Sequence, residues 1–160
     1  MLLNVADLKA IGSSLEVQVR ITGDAFPEIP LLAPIAGKIM VTFRGDKYVV
    51  SGELETTVEL ECRRCLGKFP YIVKVNFQEL YQRGNPVLTQ GFVELQEEEL
   101  NTFFFQGDYL DLTDSIRENI LVSLPWNPLC HDNCRGLCPT CGINLNFVDC
   151  QCSNKRNDLS

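Results

Sequence analysis

Cys138-Pro139-Thr140-Cys141-Gly142, closed by Cys150-Gln151-Cys152, is the stretch that most restricts how this chain can fold. The proline stiffens a Cys-x-x-Cys loop. The glycine after it permits the positive φ that turns backbone N–H groups toward the sulfurs. A second pair of sulfurs follows within chain reach, and four thiolates suit a closed tetrahedral structural site. The spacing therefore predicts a zinc knuckle with Cys138, Cys141, Cys150 and Cys152 as ligands. The competing reading is a redox dithiol or free thiols, but nothing thioredoxin-like precedes the pair.

Four more cysteines precede this stretch. Cys62-Arg63-Arg64-Cys65 supplies two ligands, which cannot close a zinc site alone. By elimination its partners are Cys130 and Cys134, so that one or two Zn²⁺ ions per chain are expected. His131 could replace one cysteine, although an isolated imidazole between two cysteines fits an exposed or outer position equally well.

A chain of 160 residues fits one domain with a small appendage. A chain of that size buries about 68–70% of its unfolded surface, so its core does not depend on cysteines. No apolar run approaches the length of a membrane span. The opening Met1–Lys9 lacks a basic n-region and is interrupted by Asp7, which argues against a secretory signal and for a cytoplasmic protein. Cysteines in a reducing compartment read as metal ligands before disulfides. The net charge is −7, and two ions in four-thiolate sites would deepen it by about four charges. This charge disfavours broad electrostatic adhesion to nucleic acid, so any such contact must be local or made through a protein.

Alternation predicts strands over 15–21, 37–44, 47–61 and 69–81, with a further one over 91–96. Gly23 to Pro34, with three prolines, reads as an irregular crossing, and Arg44-Gly45-Asp46-Lys47 as a hairpin turn. In the longest strand Glu53, Glu55, Glu59 and Glu61 share a face opposite Leu54, Val58, Leu60 and Cys62. The acidic row is expected to be solvated, and the first Cys-x-x-Cys to cap the hairpin that follows. Glu94, Glu97, Glu98 and Glu99 read as a solvated loop, whereas Phe103-Phe104-Phe105 should pack onto the sheet. One helix is expected over 111–124, with Asp111 as N-cap, Leu112, Ile116, Ile120 and Leu124 on one face, and Pro125 as the stop. The fold class is thus α+β and β-rich: a curved, mostly antiparallel sheet or partly open barrel with one packed helix. Residues 1–127 form that domain, a cysteine-rich zinc-binding segment at 128–153 docks on it, and 154–160 is a flexible tail.

No P-loop or dinucleotide turn is present, and with His131 as the one histidine, set among expected metal ligands, no Ser-His-Asp arrangement is expected. Zinc nucleobase deaminases share Pro-Cys-x-x-Cys but require an upstream His-x-Glu, which His131-Asp132-Asn133 does not supply. Closed four-cysteine sites leave no coordination position for water, so no catalytic residue and no small-molecule substrate are expected. Such sites fix loops that recognise something. Here the cations on those loops are Arg63, Arg64, Lys68 and Arg135, the candidate partner-binding residues. Simple compensation of thiolate charge is the alternative role for them.

Three strings carry a resemblance: Val58-Glu-Leu-Glu-Cys-Arg-Arg-Cys-Leu66, Leu112-Thr-Asp-Ser-Ile-Arg-Glu-Asn-Ile-Leu-Val-Ser-Leu-Pro125 and Leu129-Cys-His-Asp-Asn-Cys-Arg-Gly-Leu-Cys-Pro-Thr-Cys-Gly-Ile-Asn-Leu-Asn146. The chain resembles, from about residue 15 to 152, the YceD-type large ribosomal RNA subunit accumulation family, in its cysteine-rich cyanobacterial and plastid version. Some relatives lack the second cysteine cluster, which implies a stabilising zinc. The resemblance implies a non-enzymatic role in accumulation or processing of large-subunit (23S) rRNA. Its implied partner is a large-subunit rRNA precursor or an assembly or processing protein. A zinc-stabilised protein–protein adaptor unrelated to rRNA is the alternative, and a thiol oxidoreductase using Cys62 and Cys65 or Cys138 and Cys141 a third.

Overall fold

Alternating apolar residues build a five-stranded sheet whose inner face is the core. The computed structural model describes residues 1–9, 13–85 and 102–152. The sheet contains β2 (Ser14–Ile21), β3 (Ile35–Arg44), β4 (Lys47–Glu61), β5 (Lys68–Arg83) and β6 (Thr102–Phe105), in that order. Its first four strands are antiparallel neighbours, and β6 joins β5 in parallel. The sheet curls into a half-barrel, as the alternation predicted. A small antiparallel pair, β1 (Leu2–Asn4) with β7 (Tyr109–Asp111), leads into helix α1 (Thr113–Val122). The strand expected over 91–96, the acidic run at Glu94 and 97–99, and the tail at 154–160 lie outside the described residues.

The inward faces meet as expected: Ile39, Val41, Val50 and Val58 are fully buried, and Val73, Val75 and Phe77 nearly so. From the helix side Leu112, Ile116 and Ile120 are fully buried. Burying each such side chain stabilises the fold by about 1.5–3 kcal/mol. The helix is shorter than the expected 111–124 at both ends: Leu112 takes the N-cap position expected of Asp111, and the helix ends at Val122 with Ser123 as its C-cap. Asp111 still serves the helix start, since its Oδ1 accepts the Thr113 N–H at 2.9 Å. The Gly23–Pro34 crossing is a 3-10 turn at Gly23–Ala25 followed by chain that extends the sheet beside β4. There Leu32 N donates to Thr57 O at 2.7 Å and Glu59 N to Pro30 O at 2.8 Å. Phe103 to Phe105 join the sheet as β6, but only Phe105 packs against the core; Phe103 stacks on Tyr81 while staying 45% exposed, and Phe104 is 40% exposed, because β6 is the edge strand of the sheet.

The acidic row of β4 faces outward, and three of its four glutamates are paired from the neighbouring strands. Lys38 of β3 pairs with Glu53 at 3.1 Å, and Lys74 and Lys68 of β5 pair with Glu55 and Glu59 at 3.4 and 2.7 Å. This is a solvated, charge-matched face.

One acid breaks the pattern. Glu79 falls in the inward phase of β5, between Phe77 and Tyr81. Its carboxylate is satisfied there by three donors: Tyr81 Oη at 2.8 Å, Ser115 Oγ at 2.6 Å and Asn119 Nδ2 at 2.7 Å. Burial, foremost, holds the Tyr81 hydroxyl well above its ordinary range, so it remains a donor. Glu79 therefore clamps α1 to β5. Glu79→Ala orphans these donors and is expected to lower stability by about 2–3 kcal/mol, whereas Glu79→Gln, which keeps an acceptor, costs about 1 kcal/mol. Urea unfolding of the two variants against the parent checks this order.

Candidate metal centres

The β4–β5 hairpin runs far enough to carry its tip, Cys62 to Gly67, away from the main core. The C-terminal segment closes over that tip. Arg63 N donates to Pro128 O at 2.9 Å, Leu137 N to Arg64 O at 3.2 Å, and Arg64 Nη1 to Cys134 O at 3.0 Å. Gly136 lies so near that a Cβ there would stand 3.0 Å from Arg64 O. Cys62, Cys65 and Cys134 form a second buried cluster with Phe69, Leu129, Cys130 and Leu137 packed around it.

Two groups of four cysteines result: Cys62, Cys65, Cys130 and Cys134, and Cys138, Cys141, Cys150 and Cys152. Within each, the four sulfurs lie within 4.8 Å of one another. In the first, Cys62 Sγ is 3.7 Å from Cys134 Sγ and Cys65 Sγ is 3.7 Å from Cys130 Sγ. In the second, Cys150 Sγ is 3.5 Å from Cys141 Sγ and 3.3 Å from Cys138 Sγ. Four thiolates at roughly 2.3 Å from one zinc stand about 3.8 Å apart, while disulfide sulfurs stand at about 2.05 Å. The arrangement fits a four-coordinate metal ion and does not fit disulfides; all eight cysteines are free. Both expected ligand groupings are thus brought together. His131 is exposed and belongs to neither group; Cys130 supplies the fourth sulfur of the first.

Both centres use the same turn. In the first, Cys62 N donates to Gly67 O and Leu66 N to Cys62 O, each at 2.9 Å. In the second, Cys138 N donates to Ile143 O and Gly142 N to Cys138 O, each at 2.8 Å. The residue after the second cysteine is left-handed in both, with φ 57° at Leu66 and 73° at Gly142. Glycine tolerates that conformation; leucine loses about 1–2 kcal/mol there. Leu66 is 57% exposed, so little packing is at stake. Leu66→Gly is expected to raise the thermal midpoint, by a net stabilisation of about 0.5–1 kcal/mol after glycine's larger unfolded-state freedom is set against it.

Crowding divides the proton affinities of the sulfurs. Burial opposes ionisation of Cys62, but N–H groups of Cys65, Cys130 and Arg64 outweigh it and bring the thiol down to about 6. The N–H groups of Cys141 and Thr140, with the Cys150 thiol, bring Cys138 down to about 6. Burial, followed by the neighbouring sulfurs, pushes Cys130 up to about 12. A cation that offsets the mutual repulsion lets all four sulfurs ionise together. A soft, four-coordinate divalent ion matches this donor set.

Asn146 was not legible as part of the site. Its Nδ2 donates to Cys134 Sγ at 3.3 Å and its Oδ1 accepts the Arg135 N–H at 2.7 Å. The signal for it was the paired short amides of Asn144-Leu145-Asn146 inside a ligand loop, since Asn144 Oδ1 accepts from both N and Nδ2 of Asn146.

Of the four cations expected to bind a partner, three have intramolecular contacts. Lys68 pairs with Glu59, Arg135 pairs with Asp149 at 2.6 Å, and Arg64 holds Cys134 O. Arg63 is exposed on the hairpin tip, and its side chain has no partner among the described residues.

A curled β-sheet whose longest hairpin is stapled to a C-terminal segment by one four-cysteine centre, with a second centre beyond it, defines a β-rich protein with two sites able to hold metal ions. The model of the family described as "Large ribosomal RNA subunit accumulation protein YceD" matches residues 50–160, and the chain belongs to that family. It is 29% identical over 92% of its length to the chloroplastic large ribosomal RNA subunit accumulation protein YCED homolog 1 of Zea mays, covering 55% of that protein. Against the homolog of Arabidopsis thaliana identity is 23% over 88% of this chain and 50% of the relative. An uncharacterized protein of Mycobacterium tuberculosis is 29% identical over 61% of this chain and 44% of its own length. The chain thus spans about half the length of the curated relatives it matches. No solved structure matches. Among the described residues, no helix is long and apolar enough to cross a membrane.

Proposed function

We propose that this protein is a non-enzymatic cytoplasmic factor for accumulation or processing of large-subunit (23S) rRNA. It acts as a binding module whose recognition loops are held by Zn²⁺ at both cysteine centres. The observation that carries the reading is the family match over residues 50–160, which contains every cysteine of both clusters. Closed four-sulfur sites support a scaffolding role for the metal, because no ligand position is left for substrate or water. Arg63 is the foremost contact residue for the partner, with Arg64, Lys68 and Arg135 around the same segment.

Depletion is expected to lower mature 23S rRNA relative to small-subunit rRNA. The protein should also co-sediment with large-subunit precursors in sucrose gradients at moderate salt. Normal rRNA levels and polysome profiles after depletion would sink the reading.

A second reading, an adaptor that binds a protein partner, draws support from the net charge of −7 and from the internal pairing of Lys68 and Arg135. The two separate under ribonuclease. Co-sedimentation abolished by digestion supports a direct RNA contact, and a surviving soluble complex supports the adaptor.

A further inference from the structure

The two centres differ in exposure and are joined by one side chain. In the first, Cys62 is 0% exposed and Cys134 2%. Its ligands come from the hairpin tip and the C-terminal segment, so both elements must separate before the ion is free. In the second, Cys141 is exposed and Cys150 and Cys152 are half-buried. All four of its ligands come from one short segment.

The loop between Cys141 and Cys150 carries Asn146, whose amide reaches out of its own centre to the buried one. Leu145 N donates to Gly136 O at 2.9 Å and seats the loop against the strip of chain between Cys134 and Cys138. An N–H donor on a ligating sulfur fixes its orientation and spreads its charge, and removing such an outer partner typically weakens metal binding by about 10–100-fold. The loop that presents this donor is anchored at both ends by ligands of the exposed centre.

We propose that the centres are unequal and coupled: the outer cluster exchanges its metal first, and Asn146 makes the hold of the buried cluster depend on the outer cluster's loading. This rests on the reading that both clusters bind Zn²⁺. The chain then has a graded response to metal supply. Loss of the outer ion slackens the Asn146 loop and weakens the junction between hairpin tip and C-terminal segment.

The test uses the full chain loaded with Zn²⁺ and challenged with excess EDTA. Zinc release is timed, and newly alkylated cysteines are mapped by mass spectrometry. Two phases are expected: the first exposing Cys141, Cys150 and Cys152, and the second, about tenfold slower or more, exposing Cys62 and Cys65. Exchange against excess isotopically labelled Zn²⁺, which keeps the outer cluster loaded, is timed as well: Asn146→Ala keeps both ions and speeds exchange at the buried cluster about tenfold, but leaves the second EDTA phase, which follows loss of the outer ion, little changed. Asn146→Asp keeps the acceptor for the Arg135 N–H and loses the donor to Cys134, so it too speeds that exchange at the buried cluster. If the aspartate variant instead restores the slow rate, Asn146 serves only the backbone and the coupling is overturned. Release of two ions in a single phase, or first alkylation at Cys62 and Cys65, also overturns it. A chain that binds no zinc overturns the metal reading under the proposed function, a result distinct from both.

Discussion

Replacing Cys134 with serine is expected to drop bound zinc from two ions per chain to one and to release residues 128–138 from the hairpin tip. Cys134 is nearly fully buried, and its sulfur stands 3.7 Å from Cys62 Sγ, so no neighbouring group can take its place. The small apolar cluster around it, Phe69, Leu129 and Leu137, is too small to hold two elements together by burial alone. Under the proposed zinc reading, the ion contributes most of that junction. A ligand present at about 1,000 times its dissociation constant stabilises by about 4 kcal/mol, and structural zinc is commonly held more tightly still. A loss of at least about 4 kcal/mol in zinc-containing buffer is therefore expected. Hydrogen exchange should rise at Arg63 and Leu137, whose N–H groups bond across the junction to Pro128 O and Arg64 O. Exchange at Val41 and Val50, in the sheet, should stay slow, because those strands pair independently of the tip. Equal loosening of sheet and junction would show that the centre supports the whole fold.

Gly37→Ala should be the most damaging single change in the sheet. Gly37 sits in β3 between Val19 of β2 and Leu54 of β4. Its φ is 153°, and a Cβ would stand 2.0 Å from Glu53 O and 2.9 Å from Leu54 Cα. Those atoms are backbone, so no rotamer change relieves the clash. The strand must shift or the β3–β4 ladder must part, at an expected cost of about 3 kcal/mol or more. The close approach is part of how the sheet curls, since a glycine lets neighbouring backbones close up where the strands bend. Gly45, whose Cβ would meet nothing within 4 Å, offers a control for close contact. Its φ of 67° makes alanine there a cost of backbone conformation alone, about 1–2 kcal/mol. Comparing denaturant midpoints of the two variants separates steric clash from backbone preference.

What could be read in advance followed from short-range periodicity. Period two exposes one strand face and buries the other, so β2 to β5 and the inward set Ile39, Val41, Val73 and Val75 were legible from spacing alone. Helix α1 was legible from Leu112, Ile116 and Ile120 at period four. β1 and β7 were not, because three-residue strands carry no measurable period. Glu79 broke the alternation of β5, and its reason lies on another element, in Ser115 and Asn119.

The sequence by itself determined that four sulfurs near the C-terminus could meet, because a Cys-x-x-Cys turn and the following pair lie within one short loop. It also determined that Cys62 and Cys65 lay at a hairpin tip. Elimination named Cys130 and Cys134 as the partners of these two, but only the tertiary structure brought the four together, engaged Arg64 and Lys68 internally, and set Asn146 against the other centre's sulfur. The cysteine meeting and the Arg64 contact join segments remote in sequence, 72 residues apart for Cys62 and Cys134 and 70 for Arg64 and Cys134, whereas Lys68 meets Glu59 across one hairpin and Asn146 reaches back 12 residues. Local spacing encodes the turn that presents a ligand. Which remote segment receives it is set by how the sheet curls and where the chain returns after α1.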